Sequence, residues 1–216
     1  MSRRTVTRRS VPRRSVARTR AASTPRSDII AAAATAMARH GYHGMSMRDL
    51  ARATGKAPAS FYSHFASKEA VLLAIQEGAF LELLASADAA LGGAGGPKAR
   101  LYAFILNHVT YVAEHPDVMR VLVNEAATLP RPERDIVRRL KERYYALGRS
   151  LVEANFVADR IEIERTTYAI FGMLNWAYGW YSEERHGSPS DVARTIRRLV
   201  LGGLSLAVSD ERAEAS

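Results

Sequence analysis

Ser46-Met-Arg-Asp-Leu-Ala-Arg-Ala-Thr-Gly-Lys-Ala-Pro-Ala-Ser-Phe-Tyr-Ser-His-Phe-Ala-Ser-Lys68 is the stretch that decides the fold. Ser46 can cap a helix, and Asp49 three places on forms an imperfect capping box with it. Met47, Leu50 and Ala51 supply an inward face at i, i+3 and i+4, and Gly55 takes the left-handed conformation that ends such a helix. Pro58 then falls at the first turn of a second helix, where proline is best tolerated. Phe61 and Phe65 share one face of it, with Tyr62, Ser63 and His64 beside them. Two short helices joined by a tight glycine turn make a helix-turn-helix, whose second member fits the DNA major groove. The plain alternative is a helical hairpin inside an all-α core.

Composition narrows the rest. A chain of 216 residues holds one or two small domains with an adequate core. Hydrophobic residues make up 47% and no run of eighteen is apolar throughout, so a soluble globular protein is expected and a membrane span is not. There is no cysteine, hence no disulfide framework or thiolate metal site, which fits a cytoplasmic location. The net charge of +9 is concentrated: residues 1–20 hold eight arginines and no acid, leaving +1 for the remainder.

That basic arm repeats Arg3-Arg4-Thr5-Val6, Arg8-Arg9-Ser10-Val11 and Arg13-Arg14-Ser15-Val16. It lacks a helical period and has few apolar residues, so residues 1–23 are expected to be disordered. Two readings stand for it. It can follow phosphates or enter a narrow minor groove, adding salt-dependent affinity, or it is a solvated tail or a translation start set too far upstream.

A helix-turn-helix domain is expected over residues 24–70 and a ligand-binding and dimerisation domain over 71–208, followed by a disordered tail over 209–216. Thr24 can cap the first helix, with Pro25 in its first turn and Ile29, Ile30, Ala33, Met37 and Ala38 inward. Arg26 reads either as a phosphate contact or as a surface charge at a helix end. Ser67 can cap a long helix from Lys68 to about Ala90, whose first turn and Lys68 side chain form a potential phosphate clamp. The glycine-rich stretch from Leu91 to Lys98 lacks P-loop spacing and is read as a flexible linker.

Residues 98–114 have one broad apolar face, Pro116 opens the next helix, and Pro130 with Pro132 marks a break before a further long helix. These elements carry more aromatic and methionine surface than thin helices need, which suits a cavity, although many of the residues can be plain core. The candidate ligand contacts are Phe104, His108, Tyr111, Met119, Leu122, Tyr144, Phe171 and Asn175. His108 reads first as a hydrogen-bonded core histidine and only second as a ligand contact. From Ile161 to Arg185 the chain reads as a helix apolar on two sides, to be covered on two sides. With the final helix it suggests a four-helix dimer interface through Trp176, Trp180, Ile196, Leu199 and Gly203.

The pattern resembles the DNA-binding domain of the TetR family of bacterial one-component regulators. The residues that carry the resemblance are His40 to Tyr42, Ser46 to Ala51, Gly55, Ser60 to Phe65 and Ser67 to Leu72. The resemblance implies an all-α protein: an N-terminal three-helix DNA-binding domain, a divergent C-terminal helical domain with a ligand pocket, and a homodimer. Lys56 and Ala57 depart from the family pattern of an aliphatic residue and a capping Ser or Thr, and Pro58 stands where lysine is common, so base preference does not transfer. Ser60 and Ser63 are expected mainly at base edges, Tyr62 and His64 mainly at phosphates, Pro58 and Ala59 at thymine methyls, and Arg48 on the preceding helix beside them. The segment from Phe171 to Tyr181 is similar to members that regulate fatty-acid and steroid breakdown and respond to acyl-CoA thioesters. For the CoA phosphates Arg149, Arg165 and Arg185 are available.

The leading expectation is therefore a repressor that binds a pseudo-palindromic double-stranded operator as a homodimer and is released by a hydrophobic molecule, for which an acyl-CoA thioester is one candidate and an unrelated hydrophobic or aromatic compound the alternative. No nucleophile elbow, His-Glu-x-x-His pair or cofactor loop occurs and the six histidines are scattered, so neither an enzyme nor a cofactor is expected. A sequence-independent nucleic-acid or anionic-membrane binder driven by the arginine arm is the remaining rival.

Overall fold

Wherever apolar residues recur at helical spacing the chain is helical, and the turns fall at glycine and proline. The computed structural model describes residues 26–214, with side chains through residue 202. The arginine arm and the Thr24 cap with Pro25 lie outside the described residues. Among the described residues ten α-helices follow in order: α1 Arg26–His40, α2 Met47–Ala53, α3 Pro58–His64, α4 Lys68–Gly92, α5 Gly96–Glu114, α6 Pro116–Asn124, α7 Glu133–Glu153, α8 Arg160–Trp176, α9 Glu183–His186 and α10 Pro189–Glu214. The same residues contain no strand.

The first three helices close around Ile29, Ala33 and Met37 of α1, Leu50 and Ala51 of α2 and Phe61 of α3, all buried. Gly41 and Gly55 end α1 and α2 with φ of +72° and +67°, a region that disfavours residues with a Cβ. The Ser67 hydroxyl accepts from the Ala70 N–H at 3.2 Å and so caps α4. Helix α4 leaves the first domain, contacts α1, and packs against α5, α6 and α7 of the second. It is long and apolar enough to cross a membrane, but half of its apolar window is buried, as befits the central helix of a bundle.

Three expectations are corrected. The glycine-rich linker shrinks to Gly93, Ala94 and Gly95, because α4 continues to Gly92 and α5 restarts at Gly96. Side chains clamp this turn: Arg100 donates to the Leu91 carbonyl at 3.0 Å and Asn155 to the Pro97 carbonyl at 3.1 Å. The helix expected through Arg185 stops at Trp176, tightening into a 3-10 turn over Ala177–Gly179. Tyr178 leaves the helical stripe there and donates its hydroxyl to Asn124 at the end of α6, at 3.2 Å. The last helix runs to Glu214, through most of the stretch expected to be a disordered tail over 209–216.

Candidate functional site

Helices α2 and α3 build one exposed face. The Ser46 hydroxyl accepts from the Asp49 N–H at 3.2 Å, and the Asp49 carboxylate accepts from the Ser46 N–H at 3.0 Å, so the capping box is complete. The Ser46 O–H also donates to the Asp49 carboxylate at 2.6 Å, the first cause holding that carboxyl below its ordinary range. Helix α3 opens at Ala57 with no side-chain cap and Pro58 in its first turn. Phe61 and Phe65 are buried with ring centroids 5.5 Å apart, which leaves Pro58, Ala59, Ser60, Tyr62, Ser63 and His64 exposed on the outer side of the helix. Tyr62 is 46% exposed, and Arg48 on α2 is exposed as well. Ser63 donates its O–H to the Ser60 carbonyl at 2.7 Å, which leaves its lone pairs for an outside group.

The two flanking cations have internal duties. Arg26 is exposed but stands over the Phe65 ring, 5.2 Å from its centroid. Lys68 is engaged more fully: Nζ donates to the Tyr42 carbonyl at 3.0 Å and to the Met45 carbonyl at 2.9 Å, and lies 4.2 Å from the Tyr42 ring centroid. The loop between α1 and α2 approaches the start of α4 closely enough to take two of its three donors, which leaves one N–H of the ammonium for an outside group.

In the second domain α4, α5, α6, α7 and α8 enclose a cavity of about 580 Å³. His108, Leu122, Tyr144, Phe171 and Asn175 line it as expected. Phe104, Tyr111 and Met119 do not; they belong to the core behind the wall, because the apolar faces of α5 and α6 are wider than the cavity they border. Phe104 meets Phe171 edge-on at 6.0 Å, and Tyr111 packs on His115 at 4.7 Å. Gly148 of α7 permits this layering: a Cβ there would lie 2.8 Å from the Phe171 ring and 3.3 Å from that of Phe104.

Sequence reasoning missed several lining residues. Gln76, fully buried on α4, is a lone amide in an otherwise apolar stripe, a signal that was available. Arg134, Arg138 and Lys141 recur at i, i+4 and i+7 on α7 and border the cavity at its solvent edge. Arg138 bridges Asp135 at 3.4 Å and Glu142 at 3.3 Å, whereas no carboxylate among the described residues pairs with Arg134 or Lys141. Arg149, Arg165 and Arg185 are not in the wall. The first two pair along their own helices, with Glu153 at 2.8 Å and Glu162 at 3.8 Å.

His108 is a hydrogen-bonded core histidine that also borders the cavity. It is buried, and its Nδ1 lies 3.1 Å from the Tyr144 hydroxyl. Burial lowers its pKa to about 4, so the ring is neutral at neutral pH. From the same cavity wall a hydrogen-bonded series runs to the first domain. Gln76 donates to the Glu125 carbonyl at 2.9 Å, the Glu125 carboxylate accepts from the Tyr42 N–H at 3.1 Å, and the Tyr42 hydroxyl donates to Glu69 at 2.7 Å.

An apolar outer surface remains on α8 and α10. Trp176 is 63% exposed and Leu199 59%, with Trp180 also exposed. Ile196 is corrected: at 6% exposed it faces the core of its own chain, toward α5. Gly203 lies beyond the last described side chain. No group of His, Cys, Asp and Glu among the described residues is arranged to hold a metal.

Residues 29–75 match the family model described as bacterial regulatory proteins, tetR family, and residues 94–204 match that of a tetracyclin repressor-like C-terminal domain. Among solved structures the chain is similar to a TetR-family transcriptional regulator from Bordetella parapertussis, with 29% identity over 83% of this chain and 95% of that one and a TM-score of 0.77. It is similar to the TetR-family regulator PfmR from Thermus thermophilus, with 28% identity over 82% and 98% and a TM-score of 0.73. The fold is also that of AibR, solved in complex with isovaleryl coenzyme A and operator DNA, at 20% identity over 79% and 95% with a TM-score of 0.69. No curated protein gives a significant match.

Proposed function

The chain belongs to the TetR family of bacterial regulatory proteins and is a transcriptional regulator, not an enzyme; from that premise we propose that it is a repressor, acting in the cytoplasm as a homodimer on a pseudo-palindromic operator, and that an acyl-CoA thioester in the cavity releases it.

The observation that carries this reading is the double role of α4. Its first turn follows directly on α3, and residues two to four turns further along it, Gln76, Phe80 and Leu83, wall the cavity. A ligand that fits one tilt of α4 better than another changes the placement of α3, and differential affinity for two placements is all that coupling requires. The outward side chains of α3 and Arg48 are suited to phosphates and base edges. A cavity of about 580 Å³ is within the usual range for small-molecule sites. Its apolar walls suit an acyl chain, and the three cations at its solvent edge suit the phosphates of CoA. The AibR complex supplies a precedent for a thioester on this fold. Covering Trp176 and Leu199 with a second copy gives the two-fold symmetry that a palindromic site needs.

Footprinting on DNA flanking the protein's own gene, at about physiological salt, tests the regulator reading. Two protected half-sites on one face of the duplex are expected, and they should survive deletion of residues 1–20. Protection without sequence preference, lost with the arm, would instead show an electrostatic binder.

A further inference from the structure

Of the three polar atoms at the cavity wall without a partner among the described residues, the Tyr145 hydroxyl can donate or accept, whereas Gln76 Oε1 and His108 Nε2 are constrained by their surroundings. Gln76 is fully buried. Its amide nitrogen donates to the Glu125 carbonyl at 2.9 Å, and a carbonyl can only accept, so the orientation of the amide is fixed and Oε1 is left without a donor. His108 is 2% exposed; its Nδ1 is engaged by the Tyr144 hydroxyl and its Nε2 has no partner. Either proton placement in the His108–Tyr144 pair leaves Nε2 able to meet a hydroxyl, as donor when Tyr144 gives its O–H to Nδ1 and as acceptor when Nδ1–H donates to Tyr144. Buried polar groups without partners are uncommon, and here both border the space that an effector fills.

We propose that the part of the effector that enters the cavity carries a hydroxyl group, which donates to Oε1 of Gln76, and that His108 Nε2 hydrogen-bonds to the same or an adjacent group. This rests on the effector-cavity reading and narrows it from a plain acyl chain to a hydroxylated one. The alternatives fit less well. A bare methylene chain buries both polar atoms unpaired. A ketone serves His108 at most, and a carboxylate sets acceptor against acceptor at Gln76. The cations of α7 stand at the solvent edge and remain available to the anionic end of the same molecule. Gln76 is also the residue that holds the Glu125 carbonyl, so the group that reads the hydroxyl sits on the hydrogen-bonded path toward Tyr42.

The test is calorimetric titration of the full-length protein with dodecanoyl-CoA and with its monohydroxylated forms, the hydroxyl placed at the terminal or at a mid-chain carbon. At least one hydroxylated form should bind about tenfold or more tightly than the parent, as expected where a site built for a hydroxyl is left unpaired by its analogue. That preference should shrink to less than about twofold in Gln76→Leu and in His108→Phe, each first confirmed to melt cooperatively. The wild-type comparison decides the matter even where a variant fails to fold. Equal or tighter binding of the parent overturns the hydroxyl inference and leaves the thioester reading standing, as does a preference that persists unchanged in both variants. Binding by none of the thioesters contradicts the parent reading, and the hydroxyl inference falls with it.

Discussion

The backbone N–H of Tyr42 donates to the carboxylate of Glu125 at 3.1 Å, joining residues 83 positions apart in sequence and lying in different domains. Glu125 follows α6 and binds Gln76 through its carbonyl at 2.9 Å, while Tyr42 precedes α2 and offers its own carbonyl to Lys68 of α4 at 3.0 Å. The end of α6, the cavity-lining part of α4 and the loop that positions the DNA-reading helices thus share one set of hydrogen bonds. Any movement of α4 against α6 must stretch or break one of them.

Glu125→Ala removes the acceptor of the Tyr42 N–H and of the Thr128 hydroxyl. A loss of about 1–2 kcal/mol in chemical denaturation is expected, with the change in operator affinity caused by dodecanoyl-CoA reduced several-fold. Glu125→Gln keeps an oxygen for Tyr42 and should remain close to wild type in both respects. An alanine variant with undiminished coupling would remove Glu125 from the path.

Tyr62 is nearly half exposed on α3 and belongs to no core cluster, so its removal isolates a DNA contact from stability. Tyr62→Ala should cost about 1–2 kcal/mol of operator affinity through a lost charge-assisted hydrogen bond, with the melting temperature hardly changed. Unchanged affinity in an anisotropy titration would take Tyr62 out of the interface.

Gly148→Ala sets a methyl against the far edge of the Phe171 ring, 2.8 Å away. Overpacking costs about 1–3 kcal/mol and the gain in helix propensity returns about 1, so net destabilisation should be modest. Phe171 borders the cavity, so its ring can yield into that space. Thioester affinity should therefore fall more than stability does. A large drop in melting temperature with native affinity would contradict this direction of relief.

Protonation of His108 gives a pH dependence of defined sign. Its folded pKa, about 4, lies below the unfolded value near 6.5, so the unfolded chain binds the proton more readily. Stability from this group is complete above about pH 6.5, declines as pH falls toward 4, and levels off below. The loss should be roughly 3 kcal/mol across that window. Denaturation curves from pH 7 to 4 measure it, and His108→Gln should flatten that part of the profile.

Much of the first domain was legible in the sequence because its signals are local. Ser46 with Asp49, Gly55, Pro58 and Ser67 act within one turn, and each does in the structure what its position implied. What was not legible depends on contacts across the fold. Lys68 looked like a free ammonium at a helix start until the α1–α2 loop came back to it. Helical spacing placed Phe104 and Phe171 on inner faces, but only the approach at Gly148 decides that Phe171 lines the cavity and Phe104 lies behind it. Ile196 shares a helix with Leu199 and differs from it only in which neighbour faces it. The cations of α7 carry no signal of their own in the sequence, because periodicity alone gives no cavity for them to border.

The central claim is that occupation of the cavity controls the grip of α3 on DNA. Fluorescence anisotropy of a labelled duplex from the promoter beside the gene, titrated with protein at about physiological salt and then with dodecanoyl-CoA or dodecanoic acid, tests it most directly. The account predicts a sequence-preferring complex that the thioester dissociates and the free acid does not, with the cations at the cavity edge needed to hold the CoA end. A specific complex that no thioester moves would contradict it, and the cavity would then belong to a hydrophobic compound of another kind.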